Sequence, residues 1–239
     1  MSMMHEDPIC SIFFGDARHA FVPYQYKGFS ALQKPPFNSL ARSMGLKQLV
    51  FLRQTHGVYG KVVYAHDVHD ALPSFVHDGD FLITATPQIG LGIATADCLP
   101  IIIVDSMHKV VGIAHAGWRG AVAGVGSNLL VRMNELFKTM PEHVTVYFGP
   151  SALPCCYEVQ EDFQEHLRLS PHASQSLIKR DNKYYFDQGF FNRKQLELVG
   201  VPSEAINQTF HQCTICNPRF CSARRLKSEE RQMTVVVVR

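Results

Sequence analysis

Short runs of branched and apolar residues, separated by polar turns, recur along most of the chain. Such runs, about four to eight residues long and bounded by Gly, Pro, Asp or Asn, predict strands. The predicted strands are residues 49–53, 61–65, 81–85, 90–94, 101–105, 110–114, 144–148 and 234–239. Several of them are apolar on both faces, which indicates strands buried on both sides.

A helical repeat is clearest over residues 119–138, where apolar residues recur at intervals of three, four or seven. The repeating residues are Val122, Val125, Leu129, Met133, Leu136 and Phe137. Pro141 prevents the helix from continuing. Weaker helices are predicted over 160–169 and 192–198 and near 39–46. Because strands and helices mix without strict alternation, we expect an α+β fold with mixed sheets rather than a doubly wound one.

Composition indicates one globular domain spanning residues 1–239. The chain has 46% hydrophobic residues and a net charge of +2, with Lys and Arg scattered, which argues against a dedicated nucleic-acid or membrane-surface protein. The longest apolar runs fall far below the roughly 20 residues that span a bilayer. No signal-peptide pattern is visible, and seven cysteines, an odd number, predict reduced thiols and a cytoplasmic location.

Three fragments of the sequence each place one soft metal ligand at the end of an apolar run. They are residues 53–57, 95–100 and 115–120. Two imidazoles and one thiolate, from His56, His115 and Cys98, suit a zinc ion that keeps a fourth position open. Their spacing is long and unlike that of a zinc finger. The residue types alone therefore leave open that each is an ordinary core or loop residue.

The motifs around these ligands resemble those of a known family. The matching segments are Gln54-x-His56-Gly57, residues 80–84, Thr95-Ala96-Asp97-Cys98-Leu99-Pro100, His115-Ala116-Gly117-Trp118-Arg119-Gly120, residues 149–152 and residues 157–159. In this order they resemble the YfiH-type purine nucleoside phosphorylases, formerly labelled polyphenol oxidases or laccase-domain proteins. The resemblance extends from about residue 48 to the C-terminus.

The resemblance implies a single-domain sandwich of mixed sheets flanked by helices, with zinc held by His56, Cys98 and His115. It implies phosphorolysis of adenosine, inosine, guanosine and 5'-methylthioadenosine to the free base and ribose or methylthioribose 1-phosphate. Adenosine deamination is the implied companion activity. The expected partners are purine nucleosides and inorganic phosphate, and the expected state is a monomer or homodimer. Asp97 joins the three ligands as an expected catalytic residue.

Phosphate requires cationic groups, and two places in the sequence offer them. Arg119 lies at the start of the clearest helix, where backbone amides add positive charge, although it could be a plain surface residue. Arg224 and Arg225 could each donate two hydrogen bonds to phosphate oxygens, or they could lie in a solvated loop. Asp97 could orient a histidine, bind a ribose hydroxyl or cap its turn. Gln54 could hydrogen-bond the base or sugar.

The chain departs from the family pattern at both ends. The first 45 residues or so lack the usual glycine-rich strand and turn, and Pro36-Phe37 stands where an Asn-Arg pair opens the family's helix. Near the C-terminus, residues 220–223 lose two aromatic rings and residues 229–231 gain negative charge. These changes bear on the pocket and leave the three metal ligands intact.

The remaining cysteines receive a plain interpretation. Cys213-x-x-Cys216 has no second pair at finger spacing, so Cys216 and Cys221 are interpreted as structural or incidental. Cys155 and Cys156 are expected to be small buried thiols that pack near the site.

Other classes of function stay open. A copper oxidase would need many histidines, commonly in His-x-His pairs, and none of the twelve histidines forms one. Copper could still bind the three soft ligands adventitiously. Cys98 could instead be the nucleophile of a hydrolase, activated by His115 or His56, for example one that edits cell-wall precursors. A protein that binds without turnover is the third possibility.

Overall fold

A computed structural model describes residues 3–29, 34–68 and 74–239. Two large sheets dominate these ranges. The first has the order β1-β2-β14-β6-β3, and only its β3–β6 pair is parallel. Its strands are β1 Met3–Glu6, β2 Cys10–Phe14, β3 Gln48–Phe51, β6 Ile89–Thr95 and β14 Gln232–Val238.

The second sheet has the order β13-β9-β7-β8-β5-β4, with parallel pairs at both edges and antiparallel pairs between them. Its strands are β4 Gly60–Val62, β5 Phe81–Thr84, β7 Leu99–Asp105, β8 Val110–Ala116, β9 Val144–Phe148 and β13 Ile206–Asn207. A small antiparallel sheet consists of β10 Glu158–Val159, β11 Leu177–Arg180 and β12 Lys183–Phe186.

Helices cover the outer faces of the two large sheets. They are α1 Phe37–Ser43, α2 Trp118–Val122, α3 Val125–Phe137, α4 Phe163–Leu167, α5 Gln188–Leu198 and α6 Ala223–Leu226. No helix within the described ranges is long and apolar enough to cross a membrane.

Alternation along the strands separates the core into layers. In β7, Ile102 and Val104 pack between the two large sheets, whereas Ile101 and Ile103 pack on the opposite face, in the layer that includes α3 and α5. Residues of α1 pack on the outer face of the first sheet. Side chains along a strand point alternately to its two faces. Because both faces of β7 are buried, β7 must be apolar on both. The expected α+β sandwich of mixed sheets flanked by helices is confirmed.

All eight predicted strands are present, and their bounds shift by a few residues. The hairpin of β1 and β2 was not predicted, although β2 lies inside the first sheet, between β1 and β14. The part of the chain that departs most from the family pattern thus supplies a strand of the sandwich.

The predicted helix over residues 119–138 is two helices. Gly124 has a φ of 84°, in the left-handed region, which ends α2 and starts α3 in a new direction. Both Leu129 and Leu136 belong to α3: Leu129 is buried, whereas Leu136, in the last turn of the helix, is 38% exposed. Gly112 in β8 lets α3 approach the sheet, because a Cβ there would lie 2.7 Å from Leu129 Cδ1.

The two leucines of α3 give a test of this packing. Leu129→Ala is expected to lower the free energy of unfolding by about 2–5 kcal/mol, because it leaves a cavity against β8. Leu136→Ala, the same change at a partly exposed position in the last turn of the same helix, is expected to lower it by about 1 kcal/mol or less. Urea denaturation of both variants measures the difference, and equal losses would contradict the packing described for α3.

Candidate active site

Three side chains from separate loops and strands converge at one end of the second sheet. The ligand atoms of His56, Cys98 and His115 all lie within 4.8 Å of one another. The two imidazole rings are 4.8 Å apart and meet edge to face. His115 is buried and Cys98 is partly buried, whereas His56 is exposed. The group is therefore closed on the protein side and open on the side of His56.

Strand register brings these residues together. The antiparallel pairing of β7 with β8 sets Pro100 opposite His115, so Cys98, two residues before Pro100, lies beside the end of β8. Pairing of β5 with β8 sets Phe81 opposite Ala114, and the backbone amide of His115 donates to the carbonyl of Asp80 at 2.8 Å. The end of β8 that contains His115 therefore lies beside Cys98 on one side and beside Asp80 on the other.

The Asp80 carboxylate joins the loop of His56 to β8. One oxygen accepts from His115 Nδ1 at 2.9 Å and from the His56 amide at 3.0 Å. The other accepts from the amides of Thr55 and Gly57, at 3.1 and 2.7 Å, and from the Thr55 hydroxyl at 2.9 Å. With Nδ1 as the donor to Asp80, the His115 Nε2 lone pair faces away from that bond and is available to a metal ion.

The charges of the site favour ionised Asp80 and Cys98 and protonated His115. Burial opposes protonation of His115, yet the charge of Cys98 and the hydrogen bond to Asp80 raise the pKa of His115 to about 9, so a metal ion that binds Nε2 displaces a proton. Burial opposes ionisation of Asp80, but hydrogen bonds from His115 and Gly57 outweigh it and lower the pKa of Asp80 to about 2. Burial also opposes ionisation of Cys98, yet the charge of His115 and hydrogen bonds from both histidines lower the pKa of Cys98 to about 6. Cys98 is thereby prepared to act as a thiolate, the form that binds metals.

Two backbone features make room for the three ligands. His56 has a φ of 61°, in the left-handed region, an unusual conformation for a residue with a side chain and one that clusters at functional sites. A Cβ on Gly117 would lie 2.5 Å from His56 Cδ2 and 3.3 Å from Cys98 Sγ. Only glycine lets the backbone pass this close to the ligands.

A cavity of about 460 Å³ opens beside the three ligands, all of which line it. Its wall includes the aromatic rings of Tyr24 and Phe75. It also includes three cationic side chains, from Lys27, Arg53 and Arg231, of which Arg53 pairs with Asp78. An apolar and aromatic wall with a few polar groups is typical of a small-molecule site.

Arg119, Arg224 and Cys98 all lie within electrostatic range of Tyr157. Both guanidinium groups act on the buried hydroxyl of Tyr157: burial and the charge of Cys98 raise the pKa of Tyr157, and the two arginines oppose that rise. Arg119 lies 4.2 Å from the Trp118 ring, and Arg224 lies 5.0 Å from the Tyr157 ring. Both arginines are exposed.

Two residues predicted to act on substrate or metal, Gln54 and Asp97, are hydrogen-bonded within the protein instead. Gln54 exchanges two hydrogen bonds with the backbone of Ala94, both at 2.8 Å. Asp97 accepts from the Thr214 hydroxyl at 2.7 Å and from the Arg224 amide at 2.8 Å. Its carboxylate thus serves the turn rather than a histidine, the third of the roles considered for it.

Arg225 does not fit the expected pairing with Arg224 on phosphate. Its guanidinium donates to the backbone carbonyls of Thr214, Ile215 and Phe220, at 3.1, 2.9 and 2.6 Å. These bonds occupy the guanidinium N–H groups that would otherwise donate to phosphate oxygens. Arg225 therefore fastens the loop that contains Thr214.

Asp80 is the important residue to which no role was given from the sequence. The only sign of this role in the sequence is that Asp80 is an acidic residue directly before the buried strand Phe81–Thr84. Tyr157 was noted as part of a motif but not as a neighbour of Arg119 and Arg224.

Asp16 is another buried carboxylate, and it binds Arg18 and His19.

Fold and site together define a mixed α/β protein whose His–Cys–His group, able to hold a metal ion, opens to a cavity. Residues 36–239 match the profile of the family described as multi-copper polyphenol oxidoreductase laccase. The chain belongs to this family.

Relatives of known name agree with the resemblance seen in the motifs. The chain is 36% identical over 161 residues to a purine nucleoside phosphorylase of Aquifex aeolicus, covering 67% of this chain and 71% of the relative. It is 30% identical over 211 residues to a purine nucleoside phosphorylase of Borreliella burgdorferi, covering 87% and 86%. It is 32% identical over 198 residues to adenosine deaminase RL5 from an unknown prokaryotic organism, covering 79% and 74%.

Solved structures share the fold over nearly the whole chain. YlmD from Geobacillus stearothermophilus superposes with a TM-score of 0.77 at 23% identity, covering 100% of this chain and 99% of that one. Bacillus licheniformis YfiH gives the same TM-score and identity, covering 96% and 93%. The N-terminal hairpin is therefore part of the common architecture although its sequence departs from the family pattern.

Replacement of Asp80 tests its role beside the ligands. Asp80→Asn is expected to weaken zinc binding about 10–100-fold, because the amide no longer holds His115 in the metal-binding tautomer. Competition with a chromophoric chelator measures the affinity. Asp78→Asn, an exposed change two residues earlier, serves as the matched control and should leave affinity unchanged. Equal affinity of Asp80→Asn and wild type would contradict the role given to this carboxylate.

Proposed function

We propose that this protein is a zinc-dependent purine nucleoside phosphorylase with adenosine deaminase as a companion activity. The observation that carries the proposal is the convergence of His56, Cys98 and His115 at the wall of a cavity large enough for a small molecule. Its membership of the family and the names of its relatives supply the reaction class.

The donor set fits zinc. Two imidazoles and one thiolate are ligands that zinc accepts, and catalytic zinc sites keep one position for water or substrate. The open side at His56 supplies that position. A zinc ion held there, when bound, supplies a Lewis acid that polarises a substrate atom or lowers the pKa of a water. We therefore assign His56, Cys98 and His115 as the metal ligands.

Copper oxidation fits the residues less well, although the family description mentions it. Electron transfer from phenols to oxygen needs several copper ions and many histidines. Among the described residues, the only groups of three or more potential ligands with converging atoms are the His–Cys–His group and one group of four cysteines. Copper at His56, Cys98 and His115 would be a single ion, without the cluster that reduces oxygen.

The cavity suits the nucleoside. The exposed ring of Tyr24 offers an aromatic face on which a purine can stack, and Lys27 offers a donor to its ring nitrogens or to ribose hydroxyls. Gln54 forms part of the wall, with its amide already bound to Ala94. These contacts orient the sugar so that its anomeric carbon faces the attacking anion.

We assign Arg119 and Arg224, the two arginines whose charges act on the Tyr157 hydroxyl, as the cations that bind inorganic phosphate. One nitrogen of the Arg224 guanidinium donates to the Glu158 carbonyl at 2.6 Å, which leaves its other N–H groups for the anion. Two guanidinium groups near one buried phenol provide charge and a neutral donor for an oxyanion. In the reaction, a phosphate oxygen forms a bond to the anomeric carbon as the bond from that carbon to the purine nitrogen breaks. The electron pair stays on the purine, which gains a proton, and the products are the free base and ribose 1-phosphate.

Phosphate dependence is the decisive test of this function. Metal-quantified protein is incubated with inosine or adenosine, with and without phosphate, and free base and ribose 1-phosphate are measured. Base release that requires phosphate supports the proposal. Base release without phosphate, or none at full zinc occupancy, would exclude a phosphorylase and in the first case indicate a hydrolase.

The same assay tests the metal ligands. Cys98→Ala is expected to lose zinc and to lower kcat/KM about a thousandfold or more, because several kcal/mol of transition-state stabilisation depend on the metal. Cys10→Ala, which removes a thiol buried in the sandwich, should keep both zinc and activity. Retention of zinc and activity by Cys98→Ala would refute the assigned centre.

The phosphate site can be tested separately. Arg119→Ala and Arg224→Ala are each expected to raise KM for phosphate about 10-fold or more, since each removes a charged hydrogen bond to the anion. KM for the nucleoside should change much less. Arg132→Ala, an exposed arginine on α3, is the matched control. An unchanged KM for phosphate in both variants would place the anion elsewhere, the cations of the cavity being the next group to examine.

A further inference from the structure

A second group of potential metal ligands lies outside the proposed active site. It consists of Cys155, Cys156, Cys213 and Cys216, whose sulfur atoms all lie within 4.8 Å of one another. Cys155 and Cys216 are exposed, Cys156 is partly buried and Cys213 is buried. The expectation that Cys155 and Cys156 are small buried thiols is therefore wrong for Cys155, because its turn lies at the surface beside the Cys213-x-x-Cys216 turn.

Backbone pairing brings the two cysteine pairs together. Ser151 and Cys213 form a parallel bridge, in which the Ser151 amide donates to the Gln212 carbonyl at 3.0 Å and the Thr214 amide donates to the Ser151 carbonyl at 2.9 Å. A turn follows on each side of this bridge. Because each turn carries two thiols, the bridge sets all four at one point.

Two arginines hold the turns in place. Arg180 donates to the carbonyls of Pro154 and Cys155, at 2.6 and 3.3 Å, and Arg225 donates to those of Thr214 and Ile215. The turns are thus fixed from outside the cysteines. The two guanidinium groups also bring positive charge close to a place where several thiolates would meet.

The sulfur separations suit one tetrahedral ion. A zinc ion with Zn–S bonds of about 2.3 Å separates its ligands by about 3.8 Å. Cys155 Sγ and Cys216 Sγ are 4.0 Å apart, and a disulfide would need about 2.05 Å. A four-iron cluster binds each thiolate to a different iron and so spreads the sulfurs more widely. Four sulfur ligands that can surround one ion tetrahedrally favour zinc or a single iron ion.

We propose that Cys155, Cys156, Cys213 and Cys216 form a closed structural zinc site. On binding, four S–H protons pass to solvent and four Zn–S bonds form, which gives a centre of charge −2 beside Arg180 and Arg225. Four protein ligands leave no position for substrate, so the ion acts on structure rather than on chemistry.

The site bears on the proposed active site through one hydrogen bond. Thr214 lies between Cys213 and Cys216, and its hydroxyl donates to Asp97, the neighbour of Cys98. The same Asp97 carboxylate accepts from the amide of Arg224. A zinc ion that fixes the Cys213–Cys216 turn therefore steadies the position of Asp97.

Metal content tests the proposal independently of activity. The full chain is expressed in zinc-supplemented medium, passed over a chelating resin and analysed by plasma mass spectrometry. We expect two zinc ions per chain in the wild type and in Cys10→Ala, and one in Cys98→Ala. We expect one in Cys216→Ser and Cys155→Ser, which change exposed residues and so disturb packing little.

Cobalt substitution keeps the test decisive if a cysteine variant fails to fold. Cys98→Ala, in which the four cysteines are untouched, is reconstituted with Co²⁺ and should show the intense visible bands and thiolate charge-transfer absorption of tetrahedral sulfur ligation. A Cys98→Ala protein that holds neither zinc nor cobalt would overturn the proposal. So would disulfides among the four residues, found by mass spectrometry of freshly purified, unreduced protein. Both results are separable from failure of the phosphorylase assay.

Discussion

The buried carboxylate of Asp80 is the interaction on which the arrangement of the site depends. It accepts hydrogen bonds from the loop of His56 and from His115, so one group joins the loop between β3 and β4 to a central strand. Those donors hold it ionised despite burial, with a pKa of about 2. Without this anchor, the amides of the loop would lose their acceptor and His56 would lose its fixed distance from Cys98.

Asp97 has a corresponding role on the other side of Cys98. Its carboxylate binds the turn of Thr214 and the start of α6 at Arg224, which connects the cysteine cluster and Arg224 to the residue before Cys98. Gln188 at the start of α5 adds a bond to the Asp97 carbonyl at 2.8 Å. The turn of Cys98, Arg224 and the cysteine cluster are therefore parts of one hydrogen-bonded unit rather than separate attachments to the sandwich.

Local pattern was sufficient for most of the elements. The eight predicted strands were found because buried strands in the middle of a sandwich need long apolar runs, which are visible without knowledge of their partners. The hairpin of β1 and β2 and the strands β10, β11, β12 and β13 were missed because their pairing depends on neighbours. Gly124 broke the predicted helix although the apolar period continued through it, since a single left-handed residue changes the direction of the chain.

By itself the sequence determined the ligand types, the family and eight of the fourteen strands in the described residues, because residue chemistry and local period are properties of the chain. Only the tertiary structure decided which polar groups remain available. It used Arg225 and Gln54 for backbone contacts, gave Asp80 its role and brought Cys155 and Cys156 to a pair far away in the sequence. The reason is physical: a side chain has few hydrogen bonds or ligand bonds to give, and strand register, not sequence spacing, decides which partner receives them.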